Sequence, residues 1–152
     1  MKRAPLNRRS KTPRAKLIRI LDRLWQEAVC LASGRKCARC GSSLGVSGHH
    51  LIKRSNLVFR HDLRNGVCLC LYCHQRAEVY QMEFEIWLQK YSPPVYAWLQ
   101  SNGHYKPRPV LTHELEERRA SWAGGISIHV AVWLFLFAAW LVCAIGHWLS
   151  VP

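Results

Sequence analysis

The stretch Asn65–His74, NGVCLCLYCH, decides how this chain is read. It sets Cys68, Cys70, Cys73 and His74 within seven positions. Such a run is core, half of a disulfide framework, or half of a metal site, and the rest of the chain must complete it. Cys37-x-x-Cys40 does so. A two-residue spacer lets both sulfurs turn toward one ion, and two knuckles, Cys37/Cys40 and Cys70/Cys73, supply the four thiolates that a structural Zn²⁺ takes. Cys68 competes with Cys70 but falls five residues from Cys73, in a predicted strand. Residues 41–69 between the knuckles are longer than a simple zinc-ribbon loop, so something more is built there.

Composition agrees with reduced thiols. The chain has seven cysteines, an odd number, and its first 16 residues are polar and basic with no apolar stretch. These features predict no cleaved secretory leader and no disulfide scaffold. Cys30 and Cys143 lie on helical faces and read as ordinary apolar residues. Disulfide redox catalysis has no support, because the two CxxC pairs are better explained together.

With 152 residues, a formal charge of +13 and a pI near 9.9, one compact domain with appendages and a polyanionic partner are expected. The charge is uneven. Residues 1–39 carry 12 of the 22 Lys and Arg, and no charged residue follows Arg119. The chain divides into a basic arm (1–14), a domain (15–104), a linker with a short charged helix (105–123) and a hydrophobic end (124–152).

Thr12 before Pro13 reads as a helix cap and first turn. Leu17, Ile20, Leu21, Leu24, Trp25, Ala28 and Leu31 recur at helical spacing, predicting an amphipathic helix over 13–32 with Gly34 beyond its end. VSGHHLI and GVCLCL read as short strands around the loop KRSNLVFRHDLRN. Tyr80, Phe84, Trp87, Leu88 and Tyr91 predict one helix from about His74 to Ser92, stopped by Pro93 and Pro94. A short helix over PVYAWLQ and another over THELEERRASW follow.

The segment 126–145, ISIHVAVWLFLFAAWLVCAI, meets the length of about 20 apolar residues needed to cross a bilayer. Arg118 and Arg119 precede it and nothing cationic follows, so a single span would keep the N-terminal domain cytoplasmic, anchored to the inner membrane. A buried hydrophobic helix and an extension irrelevant to the domain are the other readings.

His49-His50, Asn65 and His74 stand between and directly after the knuckles, in the order HH…N…CxxCH. This order resembles the HNH endonuclease family, best over residues 37–78. The wider layout, a basic start, LIRILDRLW and then the knuckles, is similar to phage NinG-type recombination endonucleases. The first resemblance implies an α+β fold: a small zinc-stabilised ββα-metal core flanked by helices, here with a C-terminal hydrophobic helix. It implies that His49 and His74 bind a catalytic divalent cation such as Mg²⁺ or Mn²⁺, that His50 is the general base, and that Asn65 holds the loop that orients the base. Where many members carry another histidine, this chain has Glu78. A carboxylate at i+4 shares a helix face with His74, and the third ligand is Glu78, water or a substrate phosphate.

The chemistry of the residues points the same way. Phosphodiester hydrolysis needs an activated water and a cation for the developing charge, and imidazole, with a pKa of about 6.5, suits the base. Lys53, Arg54, Arg60 and Arg64 are placed to grip backbone phosphates, which gives salt-sensitive binding with little base specificity. His61 reads as a surface histidine and Asp62 as a brace for Arg60 or Arg64. The expected function is a metal-dependent DNA endonuclease, with phage or prophage recombination as the setting the second resemblance implies. The alternatives are a non-catalytic zinc-finger DNA-binding protein and a membrane-tethered zinc-finger interaction module.

Overall fold

The computed structural model describes residues 12–123. The elements run α1 (Pro13–Ala32), β1 (Val46–His50), a 3₁₀ turn (Leu63–Asn65), β2 (Gly66–Cys70), α2 (Leu71–Val79), α3 (Gln81–Tyr91), α4 (Pro93–Asn102) and α5 (Thr112–Ala123). The fold is therefore α+β, with one two-stranded sheet among five helices in the described residues. The expected apolar helix over 126–145 lies outside the described residues, as does most of the basic arm. Among the described residues no helix is long and apolar enough to cross a membrane.

α1 begins as its sequence dictates. The Thr12 hydroxyl accepts the Ala15 N–H at 3.3 Å and Pro13 occupies the first turn, where a missing N–H costs nothing. Its buried stripe serves two cores. Leu17 and Leu21 pack with Val110 and with Leu115 of α5, while Trp25, Val29 and Cys30 pack on Cys68 of β2.

The strands form an antiparallel hairpin pairing Val46 with Cys70, Gly48 with Cys68 and His50 with Gly66. β2 is buried along nearly its whole length, because α1 covers one face and the helices after β2 cover the other. Val67, Leu69, Cys70 and Cys73 join Ala77, Phe84, Leu88 and Val95 in the principal core. Gly48 and Gly66 are where α1 touches the hairpin. A Cβ at Gly48 would lie 2.8 Å from the Trp25 ring, and one at Gly66 would lie 2.4 Å from a Val29 methyl and 2.7 Å from Trp25. Both distances are shorter than contact allows, so the absence of side chains here lets the indole reach the sheet.

One expectation is corrected. The single helix from His74 to Ser92 is two helices, broken at Tyr80, whose backbone leaves the helical region (φ −115°, ψ 62°) while its N–H closes α2 on the Arg76 carbonyl. The break lets Cys73 and Ala77 of α2 and Phe84 and Leu88 of α3 bury in the same core. Tyr80 and Tyr91, expected on the apolar face, are exposed. Pro93 and Pro94 end α3 and start α4.

A second correction concerns His61, which is 5% exposed, not on the surface. Its Nε2 lies 3.0 Å from Asp22 Oδ1. Asp22 also accepts two bonds from Arg60, at 2.8 Å each, and one from Arg54. Burial opposes ionisation of Asp22, but the bonds from His61 and Arg60 win and hold its carboxyl well below the usual carboxylate range. Because the folded pKa is depressed, the stabilisation is complete above the ordinary value of about 3.9 and is lost only as the pH falls through the folded one. At pH 7 Asp22→Asn should cost roughly 2 kcal/mol, since bonds to charged groups are removed from a half-buried network. Thermal melts of the zinc-loaded protein check this, and an unchanged melting temperature would contradict it.

Candidate active site and metal centre

The four knuckle cysteines converge as their spacing requires. The thiol sulfurs of Cys37, Cys40, Cys70 and Cys73 all lie within 4.8 Å of one another, with Cys40 and Cys70 at 3.6 Å. The first knuckle is closed by Cys37 N–H to Ser42 O and Gly41 N–H to Cys37 O, each 2.8 Å. The second bridges the end of β2 and the start of α2. Cys68 turns away and packs its sulfur 3.6 Å from Cys30 in the core, so Cys70 is the knuckle member.

The electrostatics of this cluster suit a thiophilic dication. Burial raises the Cys37 thiol, but backbone N–H groups of Cys70, Cys40 and Arg39 donate to it and bring its pKa down to about 6. Cys73 is pushed up by burial and then by Cys70, Cys37 and Cys40 around it. Four adjacent thiolates repel unless a cation lies among them, and thiolate is the form that binds metal. The donor set fits Zn²⁺, with all four positions filled by protein.

His49 (β1), His74 and Glu78 (both α2) form a second group whose donor atoms lie within 4.8 Å of each other. The hairpin register carries the end of β1 beside the start of α2, and the His49 and His74 rings meet edge-on at 4.6 Å. His74 Nδ1 is 3.2 Å from the Ser47 hydroxyl, and its Nε2 is 3.5 Å from Glu78. His49 Nδ1 is buried with no partner. Burial, followed by the charges of His74 and His50, lowers the His49 pKa to about 4. The ring is neutral at pH 7, the form that binds metal. Two imidazoles and a carboxylate, with an orphaned buried nitrogen among them, fit a divalent cation with further positions open to water or substrate.

His50 ends β1 beside this group. Its Nε2 lies 3.0 Å from the Arg60 carbonyl. A carbonyl only accepts, so Nε2 carries the hydrogen and the lone pair is on Nδ1. Burial, with the Arg54 and Arg60 charges, lowers its pKa to about 4 against the opposing bond to the Arg60 carbonyl. The ring is stacked on Trp25, centroids 3.7 Å apart and planes 17° from parallel.

Asn65 is fully buried at the 3₁₀ turn. Its Oδ1 accepts the Ile52 N–H at 2.6 Å, and its Nδ2 donates to the carbonyls of Ile52 (3.1 Å) and Phe59 (3.0 Å). It thus ties both ends of the loop that carries the Arg60 carbonyl. Asn65→Ala leaves the Ile52 N–H and carbonyl buried and unpaired, while the Phe59 carbonyl keeps the Asp62 N–H, and should cost roughly 2–4 kcal/mol. Denaturant titration of the zinc-loaded variant tests this, and a shift within error of zero would refute it.

His49, His50, His74 and Glu78 line one cleft of about 640 Å³, with Lys53 and Arg54 at its wall. The other two proposed phosphate contacts face elsewhere. Arg60 is taken by Asp22 and the Arg54 carbonyl, and Arg64 by Asp62 while lying over the Trp98 ring. Asp22 and Trp25 also stand in the cleft wall, beyond the residues that the sequence motifs mark. Neither has a local signal, since each sits in a regular amphipathic helix far in sequence from what it touches.

No curated protein and no solved structure matches the chain. The HNH endonuclease family model matches residues 37–79, a span that runs from the first cysteine knuckle to the end of α2 and contains all four knuckle cysteines with His49, His50, Asn65 and His74.

Proposed function

We propose that this protein is a metal-dependent endonuclease that hydrolyses DNA phosphodiester bonds. The observation that carries the reading is the convergence, in one cleft, of His49, His74 and Glu78 with a neutral His50 of fixed tautomer. His50 Nδ1 takes a proton from the attacking water. As the ring becomes cationic, Nε2–H strengthens its bond to the Arg60 carbonyl, and Asn65 keeps that carbonyl in place. Lys53 and Arg54 hold the flanking phosphates. When bound by His49, His74 and Glu78, a divalent cation such as Mg²⁺ or Mn²⁺ supplies Lewis acidity toward the phosphate and the departing oxygen. Zn²⁺ held by the four cysteines keeps β1, β2 and α2 in register.

A setting in phage or prophage recombination rests on the layout of basic start, helix and knuckles. A membrane tether rests on residues 126–145 alone. The test is incubation of supercoiled plasmid with the zinc-loaded full chain, with and without Mg²⁺ or Mn²⁺. Open-circular product that depends on added metal supports the proposal. A folded protein that binds DNA and leaves it intact with every metal and with branched substrates favours a zinc-finger DNA-binding module.

A further inference from the structure

We infer that α1, which lies outside the family match, completes the catalytic site, and that Trp25 is a positioning residue for the general base. This rests on the endonuclease reading for its catalytic consequence but not for its geometry. Trp25 is 1% exposed and its indole N–H donates to the Asp62 carbonyl at 2.8 Å. The ring lies against the hairpin where Gly48 and Gly66 have no side chains, and the His50 imidazole stacks on it at 3.7 Å.

His50 needs two restraints. The bond from Nε2 to the Arg60 carbonyl fixes one edge of the ring but leaves it free to tilt about that bond. The indole face removes the tilt and so aims the Nδ1 lone pair. The carbonyl is braced from the same helix, because Asp22 grips the Arg60 guanidinium through two bonds. Trp25 and Asp22, three residues apart on α1, thus constrain the base from its face and from its hydrogen-bonded edge. An ordinary core tryptophan would explain burial, but not two glycines opposite its ring and a functional imidazole stacked parallel to it.

The experiment compares Trp25→Phe and Trp25→Leu with wild type, as zinc-loaded full chains. Phe keeps an aromatic face and loses the N–H; Leu loses the face. Misaligning a reacting group by about 1 Å costs about 10²-fold, so W25L should lower kcat by about that factor at unchanged KM, with W25F within about threefold of wild type. A folded W25L with wild-type kcat, or W25F falling as far as W25L, would overturn the inference.

The second readout does not need catalysis. In histidine-selective NMR spectra, assigned with His50→Gln, the His50 ring protons should be shifted upfield by the indole and the ring should be a single Nε2–H tautomer. W25F should keep both features; W25L should lose the shift while keeping the tautomer that the Arg60 carbonyl fixes. If wild type cleaves nothing but the spectra behave so, the endonuclease reading fails and the positioning stands. If W25L does not fold, wild type and W25F decide, and unshifted His50 protons in either overturn the inference.

Discussion

His50→Ala is expected to lower DNA cleavage by about 10²–10⁴-fold, the usual contribution of a positioned general base, while DNA binding and zinc content stay at wild-type levels. The reasoning follows from where the ring sits. His50 makes one hydrogen bond, from Nε2 to the Arg60 carbonyl, and the loop that carries this carbonyl is held independently by Asn65 and by Asp22. Losing the imidazole therefore leaves the loop in place. The phosphate contacts proposed for Lys53 and Arg54 are made by other side chains. Cleavage of plasmid under single-turnover conditions, beside a binding isotherm, separates the two effects. A folded H50A that cleaves at the wild-type rate would remove His50 from the chemistry.

Removing zinc is expected to have the largest effect on stability. Structural zinc contributes about 10–16 kcal/mol of apparent binding energy in small sites, against a total stability of about 5–15 kcal/mol for a typical domain. The cysteines come from the segment before β1 and from the junction of β2 with α2, and three of them, Cys37, Cys70 and Cys73, are buried in the principal core. Without a cation the cluster places four thiols against one another at that junction. A strong chelator should abolish the cooperative thermal transition followed by circular dichroism, and stoichiometric Zn²⁺ should restore it. Cys70→Ser should reproduce the loss, whereas Cys68→Ala should keep one zinc per chain, because the Cys68 sulfur faces Cys30. A metal-free protein with an unchanged transition would contradict the assignment.

These two effects sit on residues that were legible in the sequence, for a physical reason. Metal knuckles and histidine pairs are local patterns: the chemistry fixes their spacing, so Cys37/Cys40 and Cys70/Cys73 announce their convergence before any fold is known. α1 was equally legible because a cap, a first-turn proline and a helical apolar period all agree. The break at Tyr80 was not. No glycine or proline marks it, and it exists because α2 and α3 must both face one core. His61 and Asp22 meet across 39 positions, and no periodicity reports such a pair. Asp62, legible as a brace for Arg60 or Arg64 because it is their neighbour in sequence, pairs with Arg64, whereas the carboxylate that takes up Arg60 is Asp22, 38 positions away. Trp25 carries an apolar period that accounts fully for its burial and hides the imidazole on its face.

The measurement that tests the central claim most directly is cleavage of an end-labelled DNA in H₂¹⁸O by the zinc-loaded full chain with Mg²⁺ or Mn²⁺, with products analysed by mass spectrometry. Water activated by His50 and a departing 3′ oxygen predict 3′-hydroxyl and 5′-phosphate ends, with one ¹⁸O in each new phosphate and about 10²–10⁴-fold slower product formation by H50A. Products with no ¹⁸O, or with 3′-phosphate ends, would contradict the proposed hydrolysis.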